Sequence, residues 1–155
     1  MPERKPPLML APLLVALVGV LLGANHGGAA EYVGGTLASL EAGAGGLIIT
    51  TDPQHLIFQT KKRTVRVPYD KVNLLEYGQK VDRRYLSAVF ISPLLILAKK
   101  RTHFLTVGYS TEDGAQAMVL RVNKESIRAV LVSLEVRTGL KVVYQDEEAR
   151  KAGKG

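Results

Sequence analysis

The chain changes period within Gln116-Ala117-Met118-Val119-Leu120-Arg121-Val122-Asn123-Lys124-Glu125-Ser126-Ile127-Arg128-Ala129-Val130-Leu131-Val132-Ser133-Leu134. Up to Val122 the apolar residues Met118, Leu120 and Val122 stand two apart, which puts them on one face of a strand. Past Asn123 the spacing widens. Ile127, Val130, Leu131 and Leu134 recur at helical intervals and form one stripe on a helix over about 124–138. Asn123 is suited to cap its start, because a short polar side chain can accept from the free N–H groups of the first turn. Thr138-Gly139 ends it, with Gly139 fitted to the left-handed cap position.

Upstream of this switch, short apolar runs alternate with turn signals, the pattern of an all-β region. Strands are expected at Tyr32–Leu40, Leu47–Thr51, His55–Thr60 and Thr64–Tyr69. Val72–Tyr77 continues the last of these past a kink at Pro68, since proline cannot donate to a central ladder. A fifth strand is expected near Leu94–Ala98, then His103–Tyr109 and Gln116–Val122. Glu112-Asp113-Gly114 marks a hairpin, and Lys61-Lys62-Arg63 makes a polar one. Lys141–Tyr144 can add a short edge strand. Residues 145–155 read as a charged, disordered tail. The expected fold is therefore mainly β (α+β). About seven antiparallel strands form a bent sandwich or partly open barrel, capped by one C-terminal amphipathic helix.

This order resembles the pleckstrin-homology-like superfold, whose C-terminal helix plugs one end of a bent seven-stranded sandwich. The resemblance rests on the strand run Gly35–Val122, with Val65-Arg66-Val67-Pro68-Tyr69-Asp70-Lys71-Val72 in its fourth strand region, and on the helix Lys124–Thr138. Lys99-Lys100-Arg101-Thr102-His103-Phe104-Leu105-Thr106 together with Leu134-Glu135-Val136-Arg137-Thr138-Gly139 is also similar to uncharacterised exported bacterial proteins of that shape. The resemblance implies a fold and a compartment, and no chemistry. Lipid-binding members of the superfold present basic loops to phosphate headgroups. Asp52–His55, the loop after the second expected strand, carries an acid and no lysine or arginine, which departs from the phosphoinositide-binding pattern.

The amino end supplies an address. Arg4 and Lys5 precede the apolar run Leu8–Ala24, and Gly28-Ala29-Ala30 is a small-x-small cleavage signal that places a cut after Ala30. Residues 1–30 are expected as a signal peptide or an uncleaved anchor, and 31–144 as the β domain. Leu8–Ala24 is at the short edge for spanning about 30 Å of hydrocarbon. Arg4 and Lys5 stay cytoplasmic, which puts the rest of the chain outside, in the periplasm, secreted or tethered. The chain has no cysteine, which excludes disulfides, thiolate chemistry and acylated-cysteine anchoring. The formal charge is +7, of which Glu3, Arg4 and Lys5 contribute +1, and the remaining +6 on an exported domain points to anionic lipid headgroups, wall polymers or an acidic protein as partner. Nucleic acid is not expected, because no stacking aromatics are interleaved with the basic clusters.

Catalytic signals are sparse. Asp52-x-x-His55 is the one acid–histidine pair close in sequence, and a metal site needs at least one further ligand. A small hydrolase or metal-dependent enzyme would have to join Asp52, His55 and His103. No Gly-x-Ser-x-Gly elbow occurs, and Gly43-Ala44-Gly45-Gly46 lacks the Lys-Ser/Thr of a phosphate loop. No catalytic residue, metal or cofactor is expected. The anion-contact candidates are Lys61, Lys62 and Arg63, with Arg83, Arg84, Lys99, Lys100 and Arg101 flanking the apolar stretch Leu86–Ala98. Within it Phe90, Ile91, Leu94 and Leu95 are candidates for insertion into lipid. The alternative is burial in the sandwich, which the need for a fifth strand favours. The sequence reads as a non-enzymatic binding or scaffold module for a protein or an anionic membrane surface. A carrier of a hydrophobic ligand remains a further alternative, and oligomeric state is not legible.

Overall fold

The two-residue alternation that ends at Val122 runs through a sheet of eight strands in the computed structural model, which describes residues 27–79 and 102–154. Strands β1 (Gly27–Gly35), β2 (Ala44–Ile49), β3 (His55–Thr60) and β4 (Thr64–Pro68) form a meander. A single 3-10 turn, Tyr69–Lys71, leads into β5 (Val72–Gly78). Strands β6 (His103–Thr111) and β7 (Gly114–Val122) form a hairpin, followed by helix α1 (Lys124–Thr138), β8 (Val143–Tyr144) and helix α2 (Glu147–Lys154). The sheet order is β4-β3-β2-β1-β7-β6-β5-β8, antiparallel except for the β5–β8 pair, and the sheet is not closed. A mainly-β fold is thus observed, with two helices among the described residues.

One face of the sheet and the stripe of α1 make the core. Tyr32, Leu105, Val107, Met118 and Leu120 from the strands meet Ile127, Val130, Leu131 and Leu134 from the helix, all buried. Each such aliphatic side chain contributes about 1.5–3 kcal/mol over leaving it in water. Alternate positions on β1, β6 and β7 put Val33, Phe104 and Val119 in a smaller cluster on the other face. Gly114 follows the Glu112-Asp113 turn with φ at +114°, and Gly139 ends α1 with φ at +73°, its N–H donating to the Glu135 carbonyl at 2.9 Å.

Several expectations change. The first strand begins at Gly27 rather than Tyr32, and Ala30 lies inside it, 7 % exposed. Its pairing with β2 through Gly27↔Ile49 to Tyr32↔Ala44 draws the small residues into the ladder. Val72–Gly78 is a fifth strand in its own right rather than a continuation of the fourth. The Tyr69–Lys71 turn separates it from β4, because Tyr69 is buried and its N–H donates to the Gln54 carbonyl at 2.9 Å. The strand count therefore no longer requires Leu86–Ala98, which lies outside the described residues.

Asn123 does not cap α1 with its side chain. Its backbone N–H donates to the Ala29 carbonyl at 3.1 Å, and its own carbonyl accepts from Ile127 at 3.0 Å. The region expected as a disordered tail forms α2 instead. The Asp146 carboxylate accepts from the Ala149 N–H at 2.7 Å, Ala149 is fully buried, and Gln145 donates its N–H to the Tyr77 carbonyl at 3.1 Å.

Candidate functional site

The Lys61–Arg63 hairpin is built by Thr60. Its hydroxyl accepts from Arg63 N–H at 2.9 Å, and its N–H donates to the Arg63 carbonyl at 2.8 Å. This turn leaves Lys61, Lys62 and Arg63 exposed beside the loop Ser39–Gly45, across an open cleft of about 620 Å³. Glu41 stands on the opposite wall, so the cleft is basic on one side only.

A second open cleft, about 540 Å³, lies between the Pro53–His55 turn, Tyr69-Asp70 and the end of α1. Asp52 shapes this turn. Its Oδ1 accepts from the N–H groups of Gln54 at 2.9 Å and His55 at 2.7 Å and lies 3.3 Å from His55 Nδ1. These backbone N–H groups, Gln54 first, hold the Asp52 carboxyl below the usual carboxylate range. Asp52 thus does the work of a turn former. The Arg137 guanidinium packs over the Tyr69 ring at 6.0 Å.

His103 belongs to a different environment. It is 9 % exposed, and its Nδ1 is hydrogen-bonded to the Tyr77 hydroxyl at 2.5 Å, with the two rings stacked. Burial, then Lys124, lowers its proton affinity, with Glu125 opposing, while burial raises that of Tyr77. Both shifts favour the neutral forms of the pair, phenol and imidazole. His55 on β3 and His103 on β6 have separate partners, with β2, β1 and β7 between their strands. Among the described residues no group of three or more His, Cys, Asp or Glu is placed to hold a metal ion.

The ladder shows where the remaining candidates join. Ala30 faces Val122, Val122 faces His103, and Phe104 faces Gly78. The start of β1, the end of β7, the start of β6 and the end of β5 therefore share one end of the sheet. At about 4.8 Å per strand, Ala30 and His103 are ~10 Å apart. Gln79 and Thr102, which flank residues 80–101, stand at that end. The Lys61–Arg63 hairpin stands at the other, beyond Thr60↔Gly46 and on the side of Tyr32↔Ala44. Arg83, Arg84, Phe90, Ile91, Leu94, Leu95, Lys99, Lys100 and Arg101 lie outside the described residues. Of the eight cations grouped by the sequence, Lys61, Lys62 and Arg63 thus stand at one end, and the segment that holds the other five joins the sheet at the opposite end.

Sequence reasoning missed the Tyr77–His103 pair, because its members are 26 residues apart. The short edge strand expected within Lys141–Tyr144 is β8, but the seating of α2 was missed, and so was the contact beside it in which Gln145 Nε2 donates to Glu76 at 3.0 Å. No family model matches the chain, and no curated protein matches it.

Proposed function

We propose that the chain is an exported, non-enzymatic binding module of pleckstrin-homology-like shape, held with one end of its sheet toward an anionic membrane surface. The strand order β4-β3-β2-β1-β7-β6-β5, with α1 directly after β7, supports the shape: a four-strand and a three-strand meander joined through β1 and β7. One observation carries the membrane reading. The residues that lead into β1, and those that flank 80–101, stand at the same end of the sheet. Both strongly apolar stretches of the sequence, Leu8–Ala24 and Leu86–Ala98, and the cations Arg83, Arg84, Lys99, Lys100 and Arg101, connect through that end. Each cation near an anionic surface contributes about 1 kcal/mol before salt screening. Five suffice for reversible attachment. The Lys61–Arg63 cleft, at the other end, is left for an acidic protein partner.

The test is sedimentation with phosphatidylglycerol vesicles at low salt, using a chain that begins at Gly27. The parent chain sediments with the vesicles. Charge reversal at Arg83, Arg84, Lys99, Lys100 and Arg101 abolishes this, and reversal at Lys61, Lys62 and Arg63 does not. A parent chain that stays in the supernatant ends the membrane reading. Equal loss from both sets of reversals ends the assignment of an end.

A further inference from the structure

We infer that the exported protein keeps residues 27–30: the bond after Ala30 is not its processing point, and any cut lies at or before the start of Gly27. The small residues Gly27-Gly28-Ala29-Ala30 have the composition of a peptidase signal, but the fold uses each of them. Gly27, Gly28, Ala29 and Ala30 pair with Ile49, Ile48, Leu47 and Gly46 of β2. Ala30 also pairs with Val122 of β7. The Ala29 carbonyl accepts the Asn123 N–H that starts α1, and Ala30 is part of the core.

Their size has its own structural cause. A Cβ on Gly27 would come within 1.8 Å of the Ile48 carbonyl oxygen, and one on Gly28 within 2.2 Å of Ser126 Cβ on α1. Real carbon contacts do not reach these distances, so β1 approaches β2 and α1 only where side chains are missing. A cut after Ala30 would remove the segment that bridges β2 to the start of the helix. In the folded domain that bond is held within β1, with β2 on one side and β7 on the other, and is inaccessible to a peptidase that takes its substrate as an extended strand. Only Asn25 and His26 then separate the apolar run Leu8–Ala24 from the sheet. At ~3.3 Å per residue this connector is about 10 Å long at most, so an apolar run left in place holds the sheet against the membrane without slack.

The experiment uses the full chain with a C-terminal tag, exported by a bacterial host, and reads the amino-terminal residue by intact mass. A mass beginning at Gly27 or earlier is expected. A folded protein beginning at Glu31 overturns the inference. Two full-length variants give a second readout by limited proteolysis. Gly28→Val loses the protease-resistant domain, whereas Ala29→Val, at an exposed position, keeps it. Equal resistance in the two variants also overturns it. Neither readout depends on binding to vesicles, so this inference and the membrane proposal fail separately.

Discussion

The Tyr77–His103 pair allows a quantitative test. Replacing Tyr77 by Phe removes the hydroxyl and leaves the buried Nδ1 of His103 without its 2.5 Å partner. A hydrogen bond contributes about 1 kcal/mol net, and orphaning a buried partner raises the cost to roughly 1–3 kcal/mol. Replacing His103 by Leu orphans the Tyr77 hydroxyl at a similar cost. The double variant Tyr77→Phe/His103→Leu has no buried polar group left to satisfy, so its loss falls below the sum of the singles by about 1–3 kcal/mol. Urea unfolding at pH 8 measures all four corners of the cycle. Around the pair lie Lys124 and Glu125 from α1, with Arg128 and Tyr144 beside Tyr77. None of these changes across the cycle. Losses that add to within about 0.5 kcal/mol would show that the two side chains are not coupled, and the reasoning would fail.

Acidification gives a second test, because the folded domain binds a proton at His103 more weakly than the unfolded chain does. The stability this provides is full above about pH 6.5 and is lost as pH falls below it; His103→Leu removes that part of the slope in thermal unfolding between pH 5 and 8. Leu134→Ala, at a fully buried position on the stripe of α1, costs about 2–5 kcal/mol by urea unfolding. Ala149→Glu puts a carboxylate where no solvent reaches. Amide exchange over residues 143–154 then quickens by at least about tenfold, or 1.4 kcal/mol, while the β6–β7 ladder keeps its protection.

Residues whose neighbours in sequence are also their neighbours in space were legible. The strand His55–Thr60, the Glu112-Asp113-Gly114 turn, the four buried positions of α1 and the Gly139 cap all follow from local rules. The start of β1 was placed at Tyr32 rather than Gly27 because a run of glycine and alanine carries no strand pattern of its own. The close approach to Ile48 and Ser126 that calls for such small residues is visible only in the fold. The tail was misjudged because its charge hid a capped helix. Asp146 bonds the Ala149 N–H, Glu147 and Glu148 sit in the first turn, and Lys151 and Lys154 in the last, matching the helix dipole. Its buried residues are Ala149 and Gly153, with Ala152 partly buried against the core, all too small to register as an apolar stripe. In the candidate site, composition revealed which cations are clustered. The end at which the Lys61–Arg63 hairpin stands, and the end at which residues 80–101 join the sheet, are set by strand register, and no local pattern encodes that.

The central place of β1 has a consequence in time. Its first partner, β2, follows within a few residues, but its second, β7, arrives late: Glu31 and the Arg121 that binds it are 90 residues apart. Until β7 is available, one side of β1 presents its amide and carbonyl groups to whatever strand it meets. Closing so long a loop places the domain among slow-folding, high-contact-order topologies, on a scale of milliseconds to seconds. The pairing of β1 with β7 therefore waits for residue 122, and β8 joins the edge beside β5 only after that. A chain delivered from its amino end remains foldable, and vulnerable to mispairing, for nearly the whole of its passage.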